Sequence, residues 1–265
     1  MNLATLQRTV PSIFAVDSSH KTSDKYELIP TIKIVEQLAS KGFHITKAMQ
    51  TNSRIHENRG FAKHMLRFRH ESTKPTLESG LFPEIVLVNS HDGLSSYRLM
   101  AGAYRLVCSN GLIAGSTSDE VRIRHQGDIV GQVIEGTYSI VDTAQAMIEK
   151  ADVMGQIELN KDERMLLATT ALELKAKEGE VITSDNAARY LRARNMHDSK
   201  RTDLFTTFNI IQENMIKGKV QTIGRDRFNR RVVTTSREVK SIDTNVKLNK
   251  ALWTLAEKFA ELKGA

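Results

Sequence analysis

The spacing of apolar residues changes partway along the chain, and this change constrains the fold more than any other feature. Before residue 127 the runs "FHITKAM" at 43–49, "HMLRFR" at 64–69, "EIVLVNS" at 84–90, "SYRLMAG" at 96–102, "AYRLVCS" at 103–109 and "EVRIRHQ" at 120–126 alternate at period two, and Gly, Asn, Asp or Pro separate them. Alternation of this kind predicts strands, each with one set of side chains on either face. From Asp128 onward the spacing is helical. It predicts one long helix over 128–154 in spite of Gly131 and Gly136, then helices over 161–179 capped by Asn160, 183–194 capped by Ser184, 203–216 and 245–262. A helix over Thr31–Ser40, stopped by Gly42, precedes the strands.

The two regimes predict an α+β fold, with a largely antiparallel β-sheet in the N-terminal half and a helix-rich C-terminal half. The break falls near Gly127 or after the long helix near Met154. That gives a sheet-rich α+β domain over 1–154 and a helical region over 155–265, or one continuous domain. No run approaches the apolar length of a membrane helix, and the N-terminal stretch shows no basic segment leading into an apolar one. With a single cysteine, Cys108, internal disulfides are excluded and a reduced, cytoplasmic compartment is expected.

The net charge is +7, and its distribution carries more information than its size. Lys217, Lys219, Arg225, Arg227, Arg230, Arg231, Arg237 and Lys240 crowd into residues 217–240 against only Asp226 and Glu238. The alternation around "RVVTTSREV", with Gly218 and Gly224 as punctuation, suggests an irregular ribbon or a long loop. Long connections without structure of their own are uncommon and tend to be functional or disordered, so the segment reads either as a solvated loop or as a phosphate-contacting arm. Arginine outnumbers lysine five to three in it, and the planar guanidinium suits phosphate geometry. Phe228 among the arginines is placed either to stack on a base or to anchor the loop. A second cluster holds Arg67 and Arg69 on one face of "HMLRFR". The exposed face of an amphipathic strand explains that row as well as one wall of a basic groove does.

Assembled catalytic chemistry is absent from the spacing. In "VNSHDGLSSYR", His91 and Asp92 are consecutive and point to opposite faces of a strand, so they form no dyad. Asp92-Gly93 is a hairpin signal, and His91 reads as a residue lining a surface. Cys108 ends an apolar run and reads as a small buried hydrophobe. The eight histidines show no HExxH or other ligand spacing, and the glycines make no phosphate or dinucleotide loop. No cofactor and no metal site is expected. Asp92, Asp119, Glu120 and Asp128 stay open as scattered metal ligands, although acids at turns and helix starts are ordinarily caps.

The run "NSHDGLSSYRLMAGAYRLVCSNGLIAG", followed by "RIRHQGDIVGQVIEGTYSIVD", "TTFNIIQENMIKGKV" and "DTNVKLNKALWTLAEKFAELKG", resembles the YafZ/YfjQ-like family, known as domain of unknown function 932. The resemblance covers nearly the whole chain from "YELIPTIKIVEQL". It implies a gene carried on prophages, plasmids or other mobile elements, and implies no mechanism.

Together these readings predict a non-catalytic nucleic-acid-binding protein of a mobile element, with DNA as the first candidate and single-strand binding or annealing as its form. The predicted contacts are the eight basic residues of 217–240 together with Arg67 and Arg69. Two alternatives stay open: a metal-dependent nuclease, and an inhibitor of host defence that binds a host protein. Self-association is left open as well.

Overall fold

The computed structural model describes residues 1–17, 22, 27–52, 56–76, 80–93, 95–107, 110–115, 120–176, 182–225, 227–228 and 230–264. The chain divides into two compact units. The first comprises Met1–Thr76, Leu81–Tyr104 and Ser116–Ile148, and the second Leu77–Gly80, Arg105–Gly115 and Glu149–Ala265.

The first unit is built on strands β1 (Phe43–Gln50), β2 (His64–His70), β3 (Leu81–Asn89) and β4 (Tyr97–Arg105), hydrogen-bonded in that order, with β6 (Glu120–Ile123) also on β4. The pairings β1–β2, β2–β3 and β4–β6 are antiparallel. The register places Leu66 opposite Leu87 and Phe68 opposite Ile85, so one face of the sheet is a continuous apolar surface. Helices α1 (Leu3–Thr9) and α2 (Thr31–Ser40) pack on β1 and bury Leu6, Ile34 and Leu38. The long helix α3 (Ile129–Met154) comes close to the sheet at Gly136, where an added Cβ would lie 3.0 Å from Leu99 and 3.1 Å from Val121.

Strands expected separately at 96–102 and 103–109 are not separate. Gly102 keeps an ordinary φ, so the alternation runs unbroken through β4 and the chain turns only after Arg105. β6 is shorter than its apolar pattern, because Gln126 N bonds Arg124 O at 2.9 Å and folds the chain out of line. Cys108 lies outside the described residues.

The second unit contains β5 (Asn110–Ile113), α4 (Lys161–Glu173), α5 (Ser184–Tyr190), α6 (Leu204–Lys217), β7 (Gln221–Arg225), β8 (Arg231–Thr235) and α7 (Ile242–Leu262). Asn160 caps α4 in a capping box with Glu163, and α5 is capped by Thr183 rather than Ser184. On α4 the buried face is Leu167, Ala168, Ala171 and Leu172, while Leu166 and Leu174 are exposed. Ala168 and Ala171 on that face permit closer packing than larger side chains would.

Helix α6 is the core of this unit. Its spacing predicted one apolar face, yet every residue from Leu204 to Met215 is buried. Three of its polar members find acceptors: Asn209 donates to Phe205 O at 2.8 Å, Gln212 to Asn249 Oδ1 at 2.6 Å, and Asn214 to Tyr190 O at 2.8 Å and Arg192 O at 3.0 Å. Thr206 Oγ1 and Asn209 Oδ1 are buried without a hydrogen bond among the described residues. Phe208 meets Trp253 of α7 edge-on at 5.8 Å. Arg105 and Asp198 form a buried two-pronged ion pair at 2.7 and 2.8 Å. Burial raises the Asp198 carboxyl, but the hydrogen bonds from Arg105 and Asn195 outweigh it and hold the group down at about 2.

Candidate nucleic-acid interface

Within 217–240 the strands β7 and β8 form a ribbon. β7 and β8 pair antiparallel in an unbroken register, Gln221 opposite Thr235, Ile223 opposite Val233 and Arg225 opposite Arg231. A five-residue connection closes the tip. At about 3.4 Å per residue each arm spans roughly 17 Å.

The ribbon is fastened at two places. Asn186 on α5 donates from Nδ2 to Ile223 O and accepts from Ile223 N at Oδ1, both at 2.8 Å. At the base, Arg194 donates from Nε to Asn214 Oδ1 at 2.7 Å and from Nη2 to Gly218 O. α5 and the residues after it therefore run beside β7 from its middle to its root. Gly218 has φ +63°, and a Cβ there would lie 2.4 Å from the backbone carbon of Arg237, so the root of the ribbon requires glycine.

The tip concentrates the charge. Arg227, Arg230 and Arg231 are exposed. Phe228 is 61% exposed, with the guanidinium of Arg227 at 4.7 Å and that of Arg230 at 5.1 Å from its ring centre. The side chain of Arg225 and the residues Asp226 and Asn229 lie outside the described set. Lys219 and Arg237 flank the base, brought together by the bond from Lys219 N to Ser236 O at 2.7 Å, and both are exposed, as is Lys240. Lys217 ends α6 and pairs with Glu213 at 2.7 Å.

Arg67 and Arg69 correct the sequence reading. Their strand face is buried and contains an acid that the reading passed over. Glu84 of β3 takes Arg67 Nε on Oε2 at 2.7 Å, Arg69 Nη2 on Oε1 at 2.7 Å, and the Thr46 hydroxyl at 2.9 Å. Arg67 also donates to Ala103 O at 3.1 Å, and Arg69 lies over the Phe82 ring at 3.9 Å. These arginines neutralise a buried carboxylate and form no wall of a groove. The signal was available: a glutamate stands at the start of an otherwise apolar run, at the parity that faces both arginines across the β2–β3 pair.

His91 is a second correction. Gly93 does turn the chain, with φ +76°, but seven residues separate Asn89 from Tyr97 and His91 is buried. It joins a polar cluster in the first unit with Ser12, Thr31, His64, Asn89 and His125. His64 and Asn89 are register partners at the end of the Leu66–Leu87 face, directly under the start of α2.

The acceptors in this cluster settle its protons. His64 Nδ1 lies 2.9 Å from the Ser12 hydroxyl, which can donate or accept, and 3.2 Å from Ala62 O, which can only accept; the tautomer that serves both carries its hydrogen on Nδ1 and leaves Nε2 bare. The Thr31 hydroxyl, 3.0 Å from that Nε2, must donate to it. Having spent its hydrogen, Thr31 Oγ1 accepts from His91 Nε2 at 3.1 Å and from Asn89 Nδ2 at 3.3 Å. Asn89 Oδ1 then accepts from His125 Nε2 at 2.9 Å. The link from Thr31 to the bare Nε2 requires a neutral His64 ring, and burial disfavours charge on the other two. Burial, aided by the neighbouring rings, pushes His64 down to about 3 and His91 to about 4; burial also lowers His125.

The scattered acids are engaged elsewhere. Asp92 accepts from Ser90 Oγ at 2.6 Å, Asp128 caps the start of α3 through Gly131 N at 2.9 Å, and Glu120 binds Arg98 and Arg122 at 2.7 Å each. Asp119 lies outside the described residues. Among the described residues no three His, Cys, Asp or Glu side chains are placed to hold a metal ion, and no helix is long and apolar enough to cross a membrane.

Residues 20–253 match a family model described as Domain of unknown function (DUF932). The chain is 40% identical to UPF0380 protein YfjQ of Escherichia coli (strain K12) over 95% of its own length and 89% of that protein. It is equally similar, over the same shares, to UPF0380 protein YafZ of the same organism. No solved structure matches it.

Proposed function

The chain belongs to the DUF932 family, and from the geometry of residues 217–240 we propose that it binds nucleic acid, without catalysis, through the tip of the β7–β8 ribbon. The observation that carries this reading is the tip itself, where exposed Arg227 and Arg230 flank an exposed Phe228 and the exposed Arg231 begins β8. No ion pair of the described residues involves Arg227 or Arg231. Guanidinium groups held at the end of an anchored ribbon reach phosphates while displacing few of the protein's own contacts.

Phe228 makes single-stranded DNA the favoured ligand, because an unpaired base can stack on an exposed ring that a paired base cannot reach. Lys219, Arg237 and Lys240 extend the positive surface toward the root. The mobile-element setting implied by the family resemblance suits such a role. Arg67 and Arg69 have no part in it.

Photo-crosslinking tests the assignment. A single-stranded oligonucleotide containing a photoreactive base is expected to label peptides spanning 225–231, and Phe228→Ala is expected to reduce the yield. Labelling confined to other segments would exclude the ribbon as the interface.

A further inference from the structure

The ladder of the ribbon determines which backbone groups face outward on β8. Ile223 spends both its N–H and its C=O on Asn186, away from β8, so the Ile223–Val233 pair exchanges no ladder bonds. Bonded and non-bonded pairs alternate along an antiparallel ladder. Thr222–Thr234 and Gly224–Val232 are therefore bonded pairs, and the bond from Ser236 N to Val220 O at 2.8 Å agrees with that phase. Arg225–Arg231 and Gln221–Thr235 are not. It follows that the N–H and C=O groups of Arg231, Val233 and Thr235 point away from β7, along the outer edge of β8.

All three residues are exposed, Val233 at 59%. No hydrogen bond from another described residue reaches these backbone groups. Sheets ordinarily protect an open edge with proline, a bulge, lysine or a covering element. β8 has no proline or lysine, its register is unbroken, and two of its three outward residues are β-branched. At the opposite edge, on β7, the central backbone groups, those of Ile223, are taken by Asn186.

We propose that the β8 edge pairs with the β8 edge of a second copy of this chain, antiparallel about a two-fold axis at Val233. The row Arg231, Val233, Thr235 is its own complement in that arrangement. Each Val233 faces Val233 of the other copy, each Arg231 faces Thr235, and no like charges stand opposite one another. Ile223 and Val233 share a face, so the joined ribbons form one apolar strip across the seam, and the two arginine tips point in opposite directions. An acidic extended peptide fits less well, because the outward row has a single charge, whereas a second copy sets Arg231 against Thr235 and continues the Ile223–Val233 strip across the seam. The proposal is independent of the nucleic-acid reading.

Light scattering and sedimentation of the full chain, without nucleic acid and across a wide concentration range, test it. The wild type is expected to dimerise. Val233→Pro removes the central outward N–H while leaving the β7–β8 ladder whole, since that group makes no ladder bond. It is expected to weaken the dimer by about tenfold or more. Val233→Lys, which sets like charges opposite each other, serves if the proline variant fails to fold. Val233→Cys in a Cys108→Ser background is expected to give a disulfide-linked dimer on oxidation, because facing Cα atoms in such a pair lie about 5.5 Å apart. A wild type that stays monomeric overturns the proposal, as does a dimer that both variants leave intact or one that Val233→Cys fails to crosslink. A monomer whose β8 amides respond to an acidic extended peptide overturns it in favour of a foreign strand.

Discussion

Asn186 and Ile223 exchange two hydrogen bonds of 2.8 Å, side-chain amide against both backbone groups of one residue. The amide thus takes the place of a third strand at the middle of the ribbon and fixes its position beside α5. Asn186→Ala leaves those backbone groups to water and removes about 1–3 kcal/mol of local stability. Hydrogen exchange is expected to quicken through β7 and β8 while α6 stays protected.

Gly218 roots the ribbon in a backbone conformation that side chains rarely adopt, against the chain at Arg237. Gly218→Ala combines strain with a backbone clash, and its cost exceeds the ~1 kcal/mol of an ordinary incompatible substitution. Thermal unfolding is expected to fall by at least about 2–4 °C, the shift that 1 kcal/mol produces in a protein of this size.

Glu84 balances two arginines inside the first unit, and its side chain is inaccessible to solvent. Glu84→Ala strands the buried Arg67 charge and is expected to cost about 3–5 kcal/mol in denaturant unfolding. Replacing the buried pair together, Arg67→Met with Glu84→Leu, should recover a large part of that loss. Arg67→Met with Glu84→Leu should also leave nucleic-acid affinity unchanged, because neither residue belongs to the ribbon.

The buried histidines make stability depend on pH. His64 and His91 are neutral in the folded chain down to about 3 and 4, whereas in the unfolded chain they take up protons near 6.5. Their contribution is therefore fully present above pH 6.5 and is lost as pH falls from there toward 4. Each added proton difference steepens the loss by about 1.4 kcal/mol per pH unit. Urea unfolding at pH 7.5, 5.5 and 4.5 is expected to show at least two protons bound on unfolding in the acid range. His64→Gln should flatten the slope by about one proton, even if it destabilises the protein.

The sequence made the period change legible, and with it the strands, the order of the helices and the long α3. Local spacing could not show which partners would cross the sheet. The face of Arg67 and Arg69 followed from parity, but its burial depended on Glu84 arriving from the neighbouring strand. His64 shares parity with Leu66 and Phe68, so its burial could have been read from the strand, whereas the convergence of His91 and His125 on Thr31 required the tertiary fold. Helix α6 misled because Thr206, Asn209, Gln212 and Asn214 look like a solvated face. Each is buried, and Asn209, Gln212 and Asn214 meet partners on α6 itself, α7 and the end of α5. The arm at 217–240 was legible as a charge cluster. The alternation in "RVVTTSREV" suggests an irregular ribbon or a long loop, and the regular register of β7 with β8 depends on pairing that local spacing does not specify.

The most direct test is the salt dependence of binding to single-stranded DNA, for the wild type and for a variant with Arg225, Arg227, Arg230 and Arg231 changed to serine. Four phosphate contacts on a single strand predict a slope of log K against log salt that is shallower in the variant by about 3. Affinity at low salt should fall with it, while the circular dichroism spectrum stays unchanged. Equal slopes and equal affinities for the two proteins would contradict the assignment of the ribbon tip as the nucleic-acid interface.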